Sequence, residues 1–188
     1  YTKIVSVNLD GTERRVLATT GAIGYGYCPS WSKDDRKISY YTESNAVDPS
    51  TGYSVNDWVR LNVMNADGSG VRTLVDIGRS STVSNAKLIA GSAWSSGSSS
   101  VLFVKEVAGV VNLNYVNVGT KKVTKITSNT DKTTMVREYG WSSDGYIVYA
   151  IGKRYDTPAA GTINVVKSIK PGTSSAPKTL LQVPSGSF

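Results

Sequence analysis

The sequence predicts an all-β domain. Val, Ser, Thr, Gly, Tyr and Asn dominate the 188 residues, and these residue types favour strands and turns. No stretch of twelve or more residues keeps a 3.6-residue apolar period, so we expect helices to be absent or very short. Two short motifs recur and interleave along the chain. Each has the alternating apolar and polar pattern of a β-hairpin.

The first motif contains a Trp-Ser pair, a turn and an apolar strand. It covers residues 28–41 and recurs at 92–104 and 139–150. The second motif contains an alternating strand, a turn that usually carries Asp-Gly, and a further strand. Its copies are centred on Asn8, Asn65 and Asn117, with a weaker copy near the carboxyl end. Gly at the turns tolerates the left-handed backbone that tight hairpins require.

Two hairpins per repeat give a four-stranded antiparallel unit, or blade, of roughly fifty residues. Such a unit cannot bury both faces alone, and radial stacking of units buries them, which predicts a β-propeller. We expect one propeller region over residues 1–188. It would contain a half blade at 3–18 and full blades at about 26–76, 90–128 and 137–183.

The predicted total is about three and a half blades, whereas closed single-chain propellers have four or more. We therefore expect a partial or open ring. Three explanations stay open. The chain is part of a larger propeller, or it pairs with another chain or copy, or it contains degenerate blades. Open strand edges favour pairing with another chain.

Two segments carry a resemblance to a known family. Residues 28–41 read Pro-Ser-Trp-Ser-x-Asp-x-x-Lys-Ile-x-Tyr, and residues 61–75 read Val-Met-Asn-Ala-Asp-Gly-Ser-Gly-x-x-x-Leu in their central part. Both resemble the repeats of TolB-type β-propellers, which are WD-like. The resemblance implies a β-propeller fold, an extracytoplasmic bacterial setting and protein binding through one face or the central opening. It carries over no contact residue, because the matching positions form the blades.

The composition argues against most enzyme classes. The chain has no histidine, which removes the serine–histidine–acid triad and histidine-ligated zinc. Its single cysteine, Cys28, cannot form an internal disulfide or a Cys-x-x-Cys pair. We therefore expect no enzymatic activity, no catalytic residue, no cofactor and no resident metal.

The net charge of +7 is unevenly distributed. Residues 1–94 carry 10 basic and 9 acidic side chains, whereas residues 95–188 carry 11 and 5. The basic side chains of the second half are scattered and no nucleic-acid motif surrounds them, so we expect no nucleic-acid partner. No run approaches eighteen apolar residues, so we expect no membrane span.

The longest insertion, residues 43–57, supplies the candidate binding residues. We interpret it as a long loop between the second and third strands of the first full blade, and long loops on rigid scaffolds often bind partners. The candidate partner-binding residues are Asp48, Tyr53, Asp57 and Trp58. Two alternatives stay open: the loop has no binding role, or its acidic side chains bind a cation.

Repeated tryptophans and aspartates have structural interpretations. The tryptophans at matched positions favour packing between blades, with each indole nitrogen bonded to a carbonyl, over a sugar-binding platform. They are Trp31, Trp94 and Trp141. The aspartates that precede turn glycines favour hydrogen bonds to their own backbone over cation ligation. They are Asp10, Asp67 and Asp144.

The sequence thus predicts a non-enzymatic propeller scaffold for protein–protein interaction within a larger extracytoplasmic protein or assembly, periplasmic or secreted. Three alternatives stay open. One is a structural subunit that self-assembles through open blade edges. Another is the non-catalytic propeller of a larger prolyl-oligopeptidase-type hydrolase. The third is sugar binding by exposed aromatic side chains.

Overall fold

The computed structural model describes residues 2–20, 29–47, 49–52, 54–76, 93–153 and 163–182. Within these ranges the chain forms fourteen strands and no helix, which confirms the all-β prediction. None of the described residues belongs to a helix that could span a membrane.

The strands fall into four antiparallel sheets. Sheet 1 contains β1 (Thr2–Ser6) and β2 (Arg15–Thr20). Sheet 2 contains β3 (Ser30–Trp31), β4 (Lys37–Val47), β5 (Ser54–Asn65) and β6 (Arg72–Asp76). Sheet 3 contains β7 (Ala93–Trp94), β8 (Ser100–Val107), β9 (Val110–Asn117) and β10 (Val123–Lys125). Sheet 4 contains β11 (Thr134–Trp141), β12 (Ile147–Lys153), β13 (Ile163–Ile169) and β14 (Lys178–Gln182).

The three four-stranded sheets pair their strands in chain order, as the blades of a propeller do. Sheet 1 has two strands, so the described residues form about three and a half blades and no closed sheet. The first strands β3, β7 and β11 are neighbours in the stack. This arrangement confirms the predicted partial propeller.

Alternation along the strands builds the core between the sheets. In β4, Ile38 and Tyr40 pack with Ile4 of sheet 1. Tyr41, on the opposite face of the same strand, packs with Phe103 of sheet 3. Successive side chains of a strand point to opposite faces. The almost continuous apolar run of β4 therefore packs against both neighbouring sheets.

The insertion at residues 43–57 is not the loop that the sequence analysis predicted. β4 and β5 continue through it as a paired ladder from Lys37↔Asn65 to Val47↔Ser54. Hydrogen bonding along an established hairpin favours its extension, and the turn is confined to the few residues between Val47 and Ser54. The insertion is therefore a long two-stranded arm of sheet 2.

Of the three repeated tryptophans, Trp94 matches the prediction fully. Its side chain is 2% exposed, and its Nε1 donates to the carbonyl oxygen of Ser30 in sheet 2 at 3.1 Å. Trp141 packs in the cluster between sheets 3 and 4 and meets Tyr115 edge to face, but its buried Nε1 has no partner among the described residues. Trp31 departs from the prediction, because it is 47% exposed.

Candidate functional site

The strand order places the connections of the propeller at two opposite ends of the sheets. We call one end the turn face. It carries the short turns that join the first strand of each full sheet to the second and the third to the fourth, together with the β1–β2 turn. The other end is the hairpin face. It carries the connections between second and third strands, including the long arm of sheet 2, and the links between sheets.

The turn face is held by local side-chain hydrogen bonds. The Oδ1 atom of Asp10 accepts from the backbone N and the Oγ1 of Thr12, and Asp67 binds Ser69 in the same way. These bonds lower the pKa of both aspartates. They confirm the interpretation of Asp10 and Asp67 as turn residues.

The Trp-Ser turns use a different bond. The Ser32 hydroxyl donates to Asp34 Oδ1 at 2.6 Å and accepts from the backbone N of Lys37. The Ser142 hydroxyl donates in the same way to Asp144. The backbone N of Asp34 also donates to Ser98 Oγ of the neighbouring sheet at 3.0 Å. The turn face is therefore occupied by contacts that stabilise the propeller itself.

The hairpin face is dominated by the arm of sheet 2. In sheet 3 the equivalent hairpin ends at the pair Val107↔Val110, which corresponds to Ser44↔Trp58 in sheet 2. The arm continues beyond that point through Val47↔Ser54. It therefore projects beyond the equivalent hairpin of sheet 3 as a hydrogen-bonded ladder.

The structure places two of the four candidate binding residues. Asp57 and Trp58 lie in β5, and Trp58 pairs with Ser44. The register shifts next to this pair, so Asp57 is the extra residue of a β-bulge. Asp48 and Tyr53 lie outside the described residues, and the role of all four in binding stays a prediction. No group of three or more metal-ligating side chains occurs in the parts of the chain that the structure describes.

Sequence reasoning missed two buried glutamates near the hairpin face. Glu43 of β4 is 7% exposed, and Glu106 of β8 is 4% exposed. They occupy matching positions, because each lies five residues after the apolar residue that pairs with the sheet's tryptophan. An alignment of the two copies of the first motif, extended to these residues, would have shown the match. Glu43 is therefore a buried residue of the insertion.

A cluster of polar side chains lies at the hairpin face between sheets 3 and 4. Asn112 Oδ1 accepts from Thr127 Oγ1 at 3.0 Å and from the backbone N of Asn129 at 2.8 Å. Asn129 Nδ2 donates to the carbonyl oxygen of Val111 at 2.7 Å. These bonds fix the link between the two sheets against β9.

Asp131 in the same link has a strongly lowered pKa. Its carboxylate accepts from Thr133 Oγ1 and from the backbone N of Thr133 and Thr134, and these bonds lower its pKa from 3.8 to about 2. Hydrogen bonds to the charged form favour that form.

This shift predicts a pH dependence. A lowered native pKa contributes stability that is present above the unfolded value of 3.8 and is lost as the pH falls towards about 2. We expect the urea midpoint to fall between about pH 4 and pH 2, and to fall less in Asp131→Asn, whose amide does not titrate in this range. Lys132→Gln is the control and should keep the wild-type acid dependence. Equal acid losses in wild type and Asp131→Asn would contradict this assignment.

No protein-family model and no curated protein matches the chain in sequence. Solved structures do match it in fold. TolB from Acinetobacter baumannii aligns over 96% of this chain with a TM-score of 0.59 and 14% identity. The chain has a TolB-type β-propeller fold. It is also similar to an oligogalacturonate lyase in complex with manganese, over 97% of this chain with a TM-score of 0.62 and 13% identity.

A third similar structure is the S511A mutant of a puromycin hydrolase, matched over 91% of this chain with a TM-score of 0.57 and 18% identity. The TolB-type chain covers 38% of TolB, 48% of the lyase and 25% of the hydrolase. The names of these three proteins indicate different functions. The structural similarity therefore establishes the fold of this chain but not its function, which has to be argued from its surface residues.

Proposed function

We propose that this TolB-type propeller is a non-enzymatic scaffold that binds a protein partner through the arm of sheet 2. The observation that carries the proposal is the continuous β4–β5 ladder, which projects beyond the equivalent hairpin of sheet 3. A ladder of this kind presents side chains at low entropic cost, because its backbone is already ordered. The resemblance to TolB supports an extracytoplasmic setting, periplasmic or secreted.

The charge of the insertion supports a partner with a basic surface. Residues 43–57 contain three acidic side chains and no Lys or Arg, although the whole chain carries +7. Glu43 is buried, which leaves Asp48 and Asp57 as the acidic residues of the arm for such a contact. Complementary charge at an interface increases the association rate and specificity more than it increases affinity.

Sheet 3 provides the design of the test. Replacing residues 45–57 by Ala-Gly gives sheet 2 the hairpin of sheet 3, in which Ala108 and Gly109 join β8 to β9. We expect this variant to keep its β circular dichroism and cooperative unfolding. A photo-crosslinking amino acid at Ser50, in the exposed turn of the arm, should capture a defined protein in the host's envelope fraction.

The same crosslinker at Thr173, in the exposed β13–β14 turn of the opposite face, is the matched control. The arm proposal predicts a product from Ser50 alone. It also predicts that the untagged wild-type protein competes for the captured partner and that the shortened variant does not. Equal capture from both positions, or equal competition by both proteins, would contradict it.

A second candidate is the propeller region of a larger hydrolase. It is favoured by the similarity to the puromycin hydrolase and to a prolyl endopeptidase, which matches over 91% of this chain with a TM-score of 0.52 and 17% identity. Since the chain has no histidine, the catalytic base of such an enzyme would come from outside these 188 residues. A reading frame that continues into a domain with a Gly-x-Ser-x-Gly motif would favour this candidate over the scaffold.

A further inference from the structure

Basic and acidic side chains are segregated in sheets 3 and 4. The first strands of neighbouring sheets contact one another, so the fourth strands lie at the outer edge of the propeller. Residues 118–125 and 170–182 form the fourth strands β10 and β14 with the turns that lead into them. We call these two segments the outer rim. They contain no Asp or Glu and five exposed lysines, namely Lys121, Lys122, Lys125, Lys170 and Lys178.

The acidic residues that the structure describes in these two sheets lie away from the outer rim. Glu106 belongs to the second strand of sheet 3 and is 4% exposed. Glu138 belongs to the first strand of sheet 4, and Asp144 lies in the turn after that strand. Asp131 lies in the link at the hairpin face. No ion pair joins a lysine of the rim to any described residue, so the rim keeps its full positive charge.

Two exposed valines accompany this charge. Val123 directly follows Lys122 and is 46% exposed, and Val71 directly precedes Arg72 and is 56% exposed. The two valines occupy matching positions where the chain enters the fourth strands of sheets 3 and 2. Both sheets have a neighbouring sheet on either side, and the valines are exposed nonetheless. Ammonium groups and aliphatic side chains therefore share one surface.

We infer that the outer rim, with Val71 and Val123, binds the surface of an anionic membrane. Lipid phosphates attract the ammonium groups, and each lysine near such a surface strengthens binding about fivefold. The valines enter the boundary between headgroups and acyl chains, where burial of an aliphatic side chain is favourable. An acidic polysaccharide would attract the same lysines, but it is hydrated throughout and offers no apolar environment to the valines.

The position of the rim makes this contact compatible with the arm of sheet 2. Lys121 and Lys122 lie in the β9–β10 turn, and Lys170 lies where the β13–β14 turn begins. Both turns belong to the turn face, whereas the arm projects from the hairpin face. A membrane bound at the rim would leave the arm accessible, so this inference goes beyond the proposed function and does not depend on it.

Sedimentation with lipid vesicles tests the inference. We expect the protein to bind phosphatidylcholine vesicles that contain about 30% phosphatidylglycerol and not to bind vesicles of phosphatidylcholine alone. Binding should be lost as NaCl is raised towards about 1 M, where the Debye length is about 3 Å. No binding to the anionic vesicles, or equal binding to both kinds, would overturn the inference.

Two pairs of substitutions separate the rim from the net charge. The double variant Lys121→Gln, Lys122→Gln should weaken vesicle binding about tenfold or more. Lys132→Gln, Lys153→Gln is the matched control, because it removes the same two charges at the hairpin face. The control should bind as the wild type does. Equal losses in the two double variants would overturn the inference, because net charge alone would then account for binding.

The valines distinguish a membrane from a soluble polyanion. Val71→Ser, Val123→Ser should weaken vesicle binding about threefold or more and leave binding to heparin unchanged. Unchanged vesicle binding in this variant, together with full competition by heparin, would overturn the membrane as the partner and indicate an acidic polysaccharide instead.

The shortened arm separates this inference from the proposed function. The variant with residues 45–57 replaced by Ala-Gly should bind the anionic vesicles with wild-type affinity, whatever the crosslinker at Ser50 captures. Loss of vesicle binding in that variant would overturn the assignment of the contact to the outer rim.

Discussion

Trp94→Ala is expected to lower the free energy of unfolding by about 3–5 kcal/mol, the usual cost of removing a large buried aromatic side chain. The indole is 2% exposed, packs between sheets 2 and 3 and donates to the Ser30 carbonyl at 3.1 Å. The substitution leaves a cavity and removes the hydrogen bond between the inner strands. Urea unfolding followed by circular dichroism measures the loss.

Trp31→Ala is the matched control, because Trp31 pairs with Ile38 as Trp94 pairs with Val101. Its exposed ring should contribute about 1 kcal/mol or less. Trp94→Phe keeps most of the apolar volume and removes the donor, so we expect an intermediate loss of about 1–2 kcal/mol, measurable if Trp94→Ala does not fold. Equal losses of unfolding free energy in Trp31→Ala and Trp94→Ala would show that the neighbouring sheet does not determine how much each tryptophan contributes to stability.

Gly68→Ala is expected to destabilise the protein more than Gly11→Ala, although both glycines have the same backbone conformation. Their φ angles are +89° and +82°. A Cβ atom at Gly68 would lie 2.7 Å from the carbonyl oxygen of Leu17, whereas a Cβ atom at Gly11 would meet no atom within 4 Å. The left-handed backbone alone costs about 1–2 kcal/mol for alanine, and the overlap should raise the loss at Gly68 to about 2–4 kcal/mol.

The additional loss at Gly68 has a defined location. Leu17 belongs to β2, so the overlap pushes sheet 1 away from sheet 2. Amide exchange in β1 and β2 should therefore accelerate in Gly68→Ala and stay slow in the sheets beyond. An equal effect of the two substitutions on the urea midpoint would argue against the close contact between Gly68 and Leu17.

The sequence was sufficient to predict the features that depend on local pattern. Alternation and turn chemistry identified the hairpins, and Asp10 and Asp67 bind their own turns as expected. The arm was missed because residues 43–57 have weak alternation. Their strand structure follows from extension of the β4–β5 ladder and not from intrinsic preference.

The environments of the tryptophans could not be predicted from their spacing. Trp31 and Trp94 stand in the same motif, but the burial of each depends on the strands of the preceding sheet. The sequence around Trp31 does not indicate how many strands the preceding sheet contains. Burial of this kind is set by tertiary context, which a single repeat does not contain.

The core is divided into three separate apolar clusters, one for each junction between sheets. Among the residues that the structure describes, the junctions between sheets 2 and 3 and between sheets 3 and 4 hold ten and seven buried core residues, whereas the junction between sheets 1 and 2 holds four. Cohesion in such a molecule comes mainly from nearest neighbours. The described contacts thus make the junction of sheet 1 with sheet 2 the weakest of the three, and we expect the first pair of strands to detach before the other sheets unfold.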